Sequence, residues 1–230
     1  MDAIDAARTI VGDRFPHARA AVLAGSAGAG RATATSDLDI VVVLPGPPAP
    51  YRETIRDRGW LVELFVHTED SIEAWFARER SSGSCTLAHM LATGRPLGGA
   101  DVEAVAIRAR AHLDAGPIPW TAERIEHRRY VLTDAIDDLL GARDADERDA
   151  VAGRLVVLTA ELHLALAGRW QGTGKWLVRR LRESDPERTE RLMSGHREAI
   201  ATGDVSQLVA VTDAVLDTCG GRLSDGYRAR

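Results

Sequence analysis

The sequence contains little lysine, few cysteines and few aromatic residues. Of its 29 basic residues only Lys175 is a lysine, cysteines number two, and aromatic residues make up 5% of the 230 residues. Cys85 and Cys219 are too few for a disulfide framework and do not have the spacing of metal ligands. The chain is therefore expected to be reduced and cytoplasmic.

Long apolar runs and an excess of positive charge are also missing. No stretch approaches the roughly 20 apolar residues of a membrane span. The N-terminus is acidic, without the basic and apolar segments of a secretory signal, so no such signal is expected. The formal net charge of -5 provides no bulk attraction to nucleic acid or to an anionic membrane. We expect neither as a partner, and the oligomeric state stays open.

The composition that is present, 45% hydrophobic and 27% charged, is typical of a globular protein. Periodicity in the first half predicts helices and strands in alternation: a helix at 3–14, strands at 20–24 and 37–44, a hairpin at 51–67, and helices at 69–80 and 84–93. After a Gly/Pro linker at 116–119 the patterns are helical only, at 121–140, 147–168, 174–184, 186–201 and 204–219. The predicted fold class is α+β, with a small mixed-sheet core over 1–115 and an all-helical domain over 120–230.

The most informative segment joins Gly25-Ser26 to Asp37-Leu38-Asp39 through ten intervening residues. Residues two apart on a strand face the same side, which places the two carboxylates together. Adjacent carboxylates repel unless a cation neutralises them, and Mg²⁺ prefers such oxygen ligands. A Gly-Ser turn can bring backbone N–H groups against a triphosphate. Alternatively, Ser36 and Asp37 cap a turn and Asp39 is an exposed strand residue.

This combination of Gly-Ser, spacer and Asp-x-Asp resembles the signature of the DNA polymerase beta-like nucleotidyltransferase superfamily. Gly30 and Ser36 also stand where many bacterial members carry Gly and Ser, whereas Ala29 replaces an arginine found in many members. The resemblance implies that Asp37 and Asp39 bind Mg²⁺. It also implies that Gly25, Ser26 and Ser36 contact the substrate, ATP or another nucleoside triphosphate.

A third carboxylate is expected on a neighbouring strand. Residues 60–66 are apolar except for Glu63, and a charge within a buried strand needs a cation or a partner. The resemblance makes Glu63 the third ligand of a site for two Mg²⁺ ions. The alternative is a strand-edge Glu that faces solvent. The rival carboxylates, Glu53, Glu69 and Asp70, lie at predicted strand or turn ends.

The element order is similar to that of stand-alone bacterial nucleotidyltransferases with a C-terminal helical domain, such as those acting on aminoglycosides and lincosamides. That likeness implies that the helical domain binds the acceptor. Within the apolar helix 147–168, Glu161 is a candidate general base for the acceptor hydroxyl. Pairing of Glu161 with an arginine is the alternative, and His163 is expected to be a core or surface histidine.

The segment Gly172-Thr173-Gly174-Lys175 precedes a predicted helix. It is not a Walker A loop, because its leading glycine is displaced by one position and Trp176 replaces the Ser or Thr that binds Mg²⁺. Lys175 could still offer an ammonium group to nucleotide phosphates. The alternative is a helix start anchored by Trp170 and Trp176.

The function implied is Mg²⁺-dependent transfer of a nucleotidyl group, AMP from ATP, onto a hydroxyl of a small molecule, with release of pyrophosphate. The alternative is a regulatory nucleotidyltransferase of the toxin–antitoxin type, which acts on a protein partner. A degenerate binder without turnover is a third reading, and the intact Asp37, Asp39 and Glu63 argue against it.

Overall fold

The computed structural model describes residues 1–33 and 35–228 and divides into two compact units, Met1–Gly116 and Pro117–Arg230. The first contains a five-stranded sheet and five helices. In the second, the described residues form helices without a strand. The predicted α+β fold class is confirmed. No helix in the described part of the chain has both the length and the apolar character needed to cross a membrane.

The elements of the first unit follow the predicted order closely. They are α1 (Ala3–Arg14), β1 (Ala20–Leu23), α2 (Gly25–Gly28), β2 (Leu38–Leu44), β3 (Tyr51–Asp57), β4 (Trp60–Thr68), α3 (Glu69–Ser82), α4 (Thr86–Thr93), β5 (Arg95–Gly98) and α5 (Val102–Ala115). The helices of the second unit are α6 (Ala122–Gly141), α7 (Ala145–Leu166), α8 (Lys175–Ser184), α9 (Pro186–Thr202) and α10 (Ser206–Asp217).

The strands lie in the order β3-β4-β2-β1-β5, with β2 and β4 parallel and the other neighbours antiparallel. Burial explains this order. In β2, residues 40–43 are buried without interruption, as expected for a strand covered on both faces. In β3, half-buried and exposed residues alternate, which suits an edge strand. The apolar strands therefore occupy the centre.

Each face of the sheet has its own core. Ile40 and Leu64 belong to the cluster that α1 covers through Ile10. Val41 and Val43 point to the opposite face, in the cluster built with α3, α4 and α5. Because side chains alternate along a strand, Asp39 shares the face of Val41 and Val43. The predicted metal ligand thus lies on the face opposite α1.

The sequence pattern does not predict three elements of the first unit: the short helix α2, the strand β5 and the helix α5. The segment Arg95-Pro96-Leu97-Gly98 contains a proline and a glycine, both depleted in strands, so it carries little strand signal. It forms a strand because it pairs with β1 at the edge of the sheet. Tertiary pairing overrides local propensity here.

A buried carboxylate holds the start of α4. Glu79 of α3 is 2% exposed, and its two carboxylate oxygens accept the N–H groups of Leu87 (2.6 Å) and Ala88 (3.3 Å). The residue before α4, Cys85, provides no side-chain cap. Burial raises the pKa of Glu79 to about 7 despite these two hydrogen bonds. Glu79 therefore supplies in tertiary structure the cap that α4 lacks locally.

The helical unit has one core, shared by all five of its helices. Leu132 of α6, Leu155 and Leu162 of α7, and Leu208 of α10 are fully buried in it. The unit therefore folds around its own apolar centre, separate from the two clusters of the sheet.

Candidate active site

Three carboxylates meet at one end of the central strands. Asp37 directly precedes β2, Asp39 is its second residue, and parallel pairing places Asp39 opposite Glu63 of β4. One carboxylate oxygen from each residue lies within 4.8 Å of the other two, and all three residues are half-buried. The described chain offers no other group of three metal-ligating side chains. The site predicted from spacing and from the apolar strand is thus a compact cluster.

In this cluster Glu63 has a cationic neighbour that the sequence analysis missed. Arg52 of the edge strand β3 donates from Nη2 to Oε2 of Glu63 at 2.5 Å. Its guanidinium also lies 4.8 Å from the centre of the Phe65 ring. The side chain of Glu63 is only 21% exposed and that of Arg52 is 59% exposed. The signal for Arg52 is the alternation of β3, which places residue 52 on the face of Glu63.

The rival carboxylates lie elsewhere. Glu53 accepts from Arg14 of α1 at 2.7 Å, and Glu69 pairs with Arg108 of α5 at 2.6 Å. Asp70 is in the first turn of α3, where the helix dipole stabilises a negative charge. None of the three belongs to the cluster, whose members are Asp37, Asp39 and Glu63.

Gly25 makes room for the carboxylate of Asp39. It has a φ of +63°, and a Cβ built on it would lie 2.0 Å from Oδ2 of Asp39. The Ala24 N–H donates to the carbonyl oxygen of Asp39 at 2.8 Å, which joins the two segments through the backbone. A side chain at position 25 would collide with the cluster. The glycine of the Gly-Ser pair is therefore required by close approach as well as by its dihedral angle.

Ser26 and Ser36 join the two ends of the intervening loop. The Ser26 hydroxyl donates to Oγ of Ser36 at 2.9 Å, and Oγ of Ser36 accepts the Thr33 N–H at 2.8 Å. The Arg31 N–H donates to the Ser26 carbonyl at 2.8 Å. The structure thus places Ser36 in a turn, as one alternative held, while Asp37 beside it belongs to the carboxylate cluster.

Glu161 lies in the helical unit on α7, in an ion pair with α6. Arg128 donates from Nη1 to its Oε2 at 2.6 Å, and the Gln171 side-chain amide donates to its carbonyl at 3.0 Å. This is the arginine pairing considered as the alternative to a general base. His163, two residues on, accepts at Nδ1 from Arg188 and is half-buried, and burial lowers its pKa. It is a hydrogen-bonded structural histidine, as predicted.

Lys175 is the first residue of α8 and is exposed. Gly172 packs against Trp176 so closely that a Cβ would lie 2.6 Å from a backbone atom of that residue. Trp170 is buried, whereas Trp176 is half-buried beneath Arg179, whose guanidinium lies 4.9 Å from its ring centre. The segment before α8 is therefore held by its glycine and by Trp170, and Lys175 itself is exposed.

Comparison with known proteins finds a family match for part of the first unit. Residues 4–84 match the family model described as a nucleotidyltransferase domain. The matched range includes all three carboxylates and the Gly25-Ser26 pair. A search of curated proteins finds no match.

Among solved structures, one match is the crystal structure of a nucleotidyltransferase-like protein from Exiguobacterium sibiricum 255-15. The two chains are 13% identical with a TM-score of 0.43, over 94% of this chain and 73% of that one. A likeness this distant assigns neither residues nor substrate.

Proposed function

We propose, on the premise that residues 4–84 match the nucleotidyltransferase domain family, that the enzyme transfers AMP from ATP onto a hydroxyl of a small molecule, releasing pyrophosphate. The observation that carries the proposal is the meeting of Asp37, Asp39 and Glu63 within 4.8 Å, inside the matched domain. General nucleotidyl transfer follows from the family. The nucleotide, the acceptor and the metal are the parts proposed.

The cluster fits Mg²⁺ by its donor chemistry. All its donors are carboxylate oxygens, which suit Mg²⁺, whereas zinc sites favour nitrogen and sulfur. Among the described residues, Asp37 has no hydrogen-bond or ion-pair partner, and Glu63 is paired with Arg52. We assign Asp37, Asp39 and Glu63 as ligands of two Mg²⁺ ions. When bound, the ions stabilise negative charge on the attacking and leaving oxygens.

The Gly25-Ser26 turn is proposed to hold the triphosphate. The absence of a side chain at Gly25 lets its backbone lie directly against the Asp39 carboxylate. Backbone N–H groups in such a turn can bind phosphate oxygens, and the hydroxyls of Ser26 and Ser36 lie next to it. Lys175 is proposed as a further phosphate contact, since its ammonium is exposed and no described residue pairs with it.

The helical unit is proposed to bind the acceptor, with Glu161 as the base that takes the hydroxyl proton. Arg128 orients the Glu161 carboxylate through their ion pair. Substitution separates this role from a structural one. If Glu161 is the base, Glu161→Gln lowers kcat at least tenfold with a small loss of stability. If the pair is structural, Glu161→Gln and Arg128→Gln lower the melting temperature alike and leave kcat unchanged.

The direct test uses each α-labelled nucleoside triphosphate with Mg²⁺ and a panel of hydroxyl compounds, read by mass spectrometry. We expect an adduct that carries AMP, formed from ATP and absent with Asp39→Asn. Label incorporated into protein, in a lysate freed of small molecules, would instead support the regulatory alternative. No transfer with any nucleotide to either acceptor class would contradict the proposal.

A further inference from the structure

The edge strand β3 presents three polar residues on one face. Arg52, Thr54 and Arg56 are exposed and alternate with half-buried residues. Tyr51 and Ile55, on the other side of the strand, pack against the core that α1 covers. Because residues alternate between faces, the three polar residues lie on the face of the carboxylate cluster.

Pairing with β4 centres these three residues on Glu63. Thr54 is its direct cross-strand partner, while Arg52 and Arg56 pair with the residues two positions to either side, Phe65 and Leu61. Diagonal neighbours in a sheet are within reach of long side chains. Thr54 thus lies directly across from Glu63, and the two arginines occupy the diagonal positions on either side of it.

The two arginines retain binding capacity. Arg52 uses one of its five N–H donors in its hydrogen bond to Glu63, and its side chain is 59% exposed. The ring of Phe65 lies against its guanidinium, which orients it. Arg56 is exposed and has no hydrogen-bond or ion-pair partner within the described part of the chain. At about 3.3 Å per residue the two arginines are about 13 Å apart along the strand, with Thr54 midway.

The strand order separates this group from the Gly25-Ser26 turn. That turn follows β1, on one side of β2, whereas β3 lies beyond β4 on the other side. The carboxylate cluster lies between them on β2 and β4. If the triphosphate binds at Gly25-Ser26, the arginines face the opposite side of the cluster, from which an acceptor would approach.

We propose that Arg52, Thr54 and Arg56 bind an anionic group of the acceptor, a phosphate or a carboxylate, and so select hydroxyl compounds that carry negative charge. This inference rests on the proposed function, because it assumes that the acceptor reacts at the cluster. Guanidinium groups match the geometry of both anions, and Thr54 adds a hydrogen bond. The same two positive charges repel a polycationic acceptor such as an aminoglycoside.

The experiment measures binding by calorimetry with the full chain, Mg²⁺ and the nonhydrolysable analogue α,β-methylene-ATP. The probes are matched pairs: glycerol against glycerol 3-phosphate, and ethylene glycol against glycolate. We expect the charged member of at least one pair to bind tenfold or more tightly than its neutral partner. The two pairs show whether phosphate or carboxylate is preferred. Equal affinity within both pairs would overturn the proposal.

Arg56→Gln is the informative variant, because Arg56 is exposed and has no hydrogen-bond or ion-pair partner in the described part of the chain, so we expect the variant to fold normally. We expect it to weaken binding of the charged probe at least tenfold. Arg95→Gln on β5, at the opposite edge of the same sheet, is the matched control and should change nothing. The proposal would be contradicted if both variants changed the affinity for the charged probe equally, or if Arg56→Gln left it unchanged. The charges on β3 would then serve only to protect an edge strand from aggregation.

Titration with the ATP analogue alone separates this inference from the proposed function. Failure of the analogue to bind, with Arg56-dependent anion binding intact, would remove nucleotidyl transfer and keep the anion site. Normal binding of the analogue, with equal affinity for the charged and neutral probes, would leave the nucleotidyl-transfer proposal standing and contradict the anion site.

Discussion

Gly25 and Asp39 are in such close contact that a Cβ at position 25 would lie 2.0 Å from Oδ2 of Asp39. The two residues are fourteen positions apart in the sequence. Their contact explains why a glycine precedes the serine of the motif. The contact also predicts that substitution of Gly25 disturbs the site, whereas substitution of Gly30 does not.

Gly25→Ala should therefore displace the Asp39 carboxylate. A shift of about 1 Å in a catalytic group can lower activity about 100-fold, so we expect a loss of transfer activity of that order or more. The positive φ adds a conformational cost of roughly 1–2 kcal/mol. Gly30→Ala is the control, since Gly30 has a φ of +69° but no atom within 4 Å of a built Cβ. It should lose stability and keep its activity, as urea unfolding and transfer assays would reveal.

Asp39→Asn should separate activity from stability. It preserves side-chain volume and removes one of three repelling charges, so the free energy of unfolding without metal should stay unchanged or rise by roughly 0.5–2 kcal/mol. Transfer activity should fall by orders of magnitude because a proposed metal ligand is lost. Denaturant unfolding in chelator and the transfer assay measure the two effects. If Asp39→Asn unfolds and Mg²⁺ has no effect on the unsubstituted protein, Asp39 has a structural role instead.

ATP should raise the melting temperature only when Mg²⁺ or Mn²⁺ is present. A ligand that binds the native state stabilises it by mass action, and the proposed site binds the triphosphate together with the metal. Thermal unfolding with ATP in excess Mg²⁺, and again in excess chelator, measures the difference. Equal stabilisation under the two conditions would contradict the two-metal site.

Lys175→Arg should raise the KM for ATP and leave the melting temperature nearly unchanged. The guanidinium is bulkier than the ammonium, and Gly172 leaves little freedom in the loop that positions residue 175. Arg182→Lys, also an exposed and charge-conserving change on α8, is the control and should leave KM unaltered. An unchanged KM in both variants would show that Lys175 does not contact the nucleotide.

Glu79→Gln should stabilise the protein increasingly as pH rises from 5 to 8. Burial raises the native pKa of Glu79 from 4.5 to about 7, so the native state retains a proton that the unfolded chain has released. Its contribution is greatest below pH 4.5 and is lost as pH rises toward 7, with a limiting slope of about 1.4 kcal/mol per pH unit. Glutamine removes this titration.

The measurement is the difference in melting temperature between variant and parent, taken at several pH values. Glu73→Gln on the same helix is the comparison variant, because its side chain is 61% exposed whereas Glu79 is buried. A pH-independent difference for Glu79→Gln would show that Glu79 is ionised in the native state throughout this range.

Much of the fold could be predicted because its signals are local. Helical periodicity and caps located α1 and α6 to α10 within a few residues, and the β-branched run at 40–43 located β2. The edge strand β5 could not be predicted, since Arg95-Pro96-Leu97-Gly98 forms a strand only through pairing with β1. Its conformation depends on residues far away in the sequence.

The candidate site divides in the same way. The sequence alone determined the Gly-Ser and Asp-x-Asp spacing and the isolated charge of Glu63, since both are properties of single segments. Only the tertiary structure decided that β4, rather than β3, lies beside β2, which brings Glu63 opposite Asp39. The physical reason is burial: the more apolar strand takes the central position and leaves the alternating strand at the edge. The same strand order brings Arg52 of β3 into contact with Glu63. Alternation along β3 indicates the face on which Arg52 lies, but not the strand beside it.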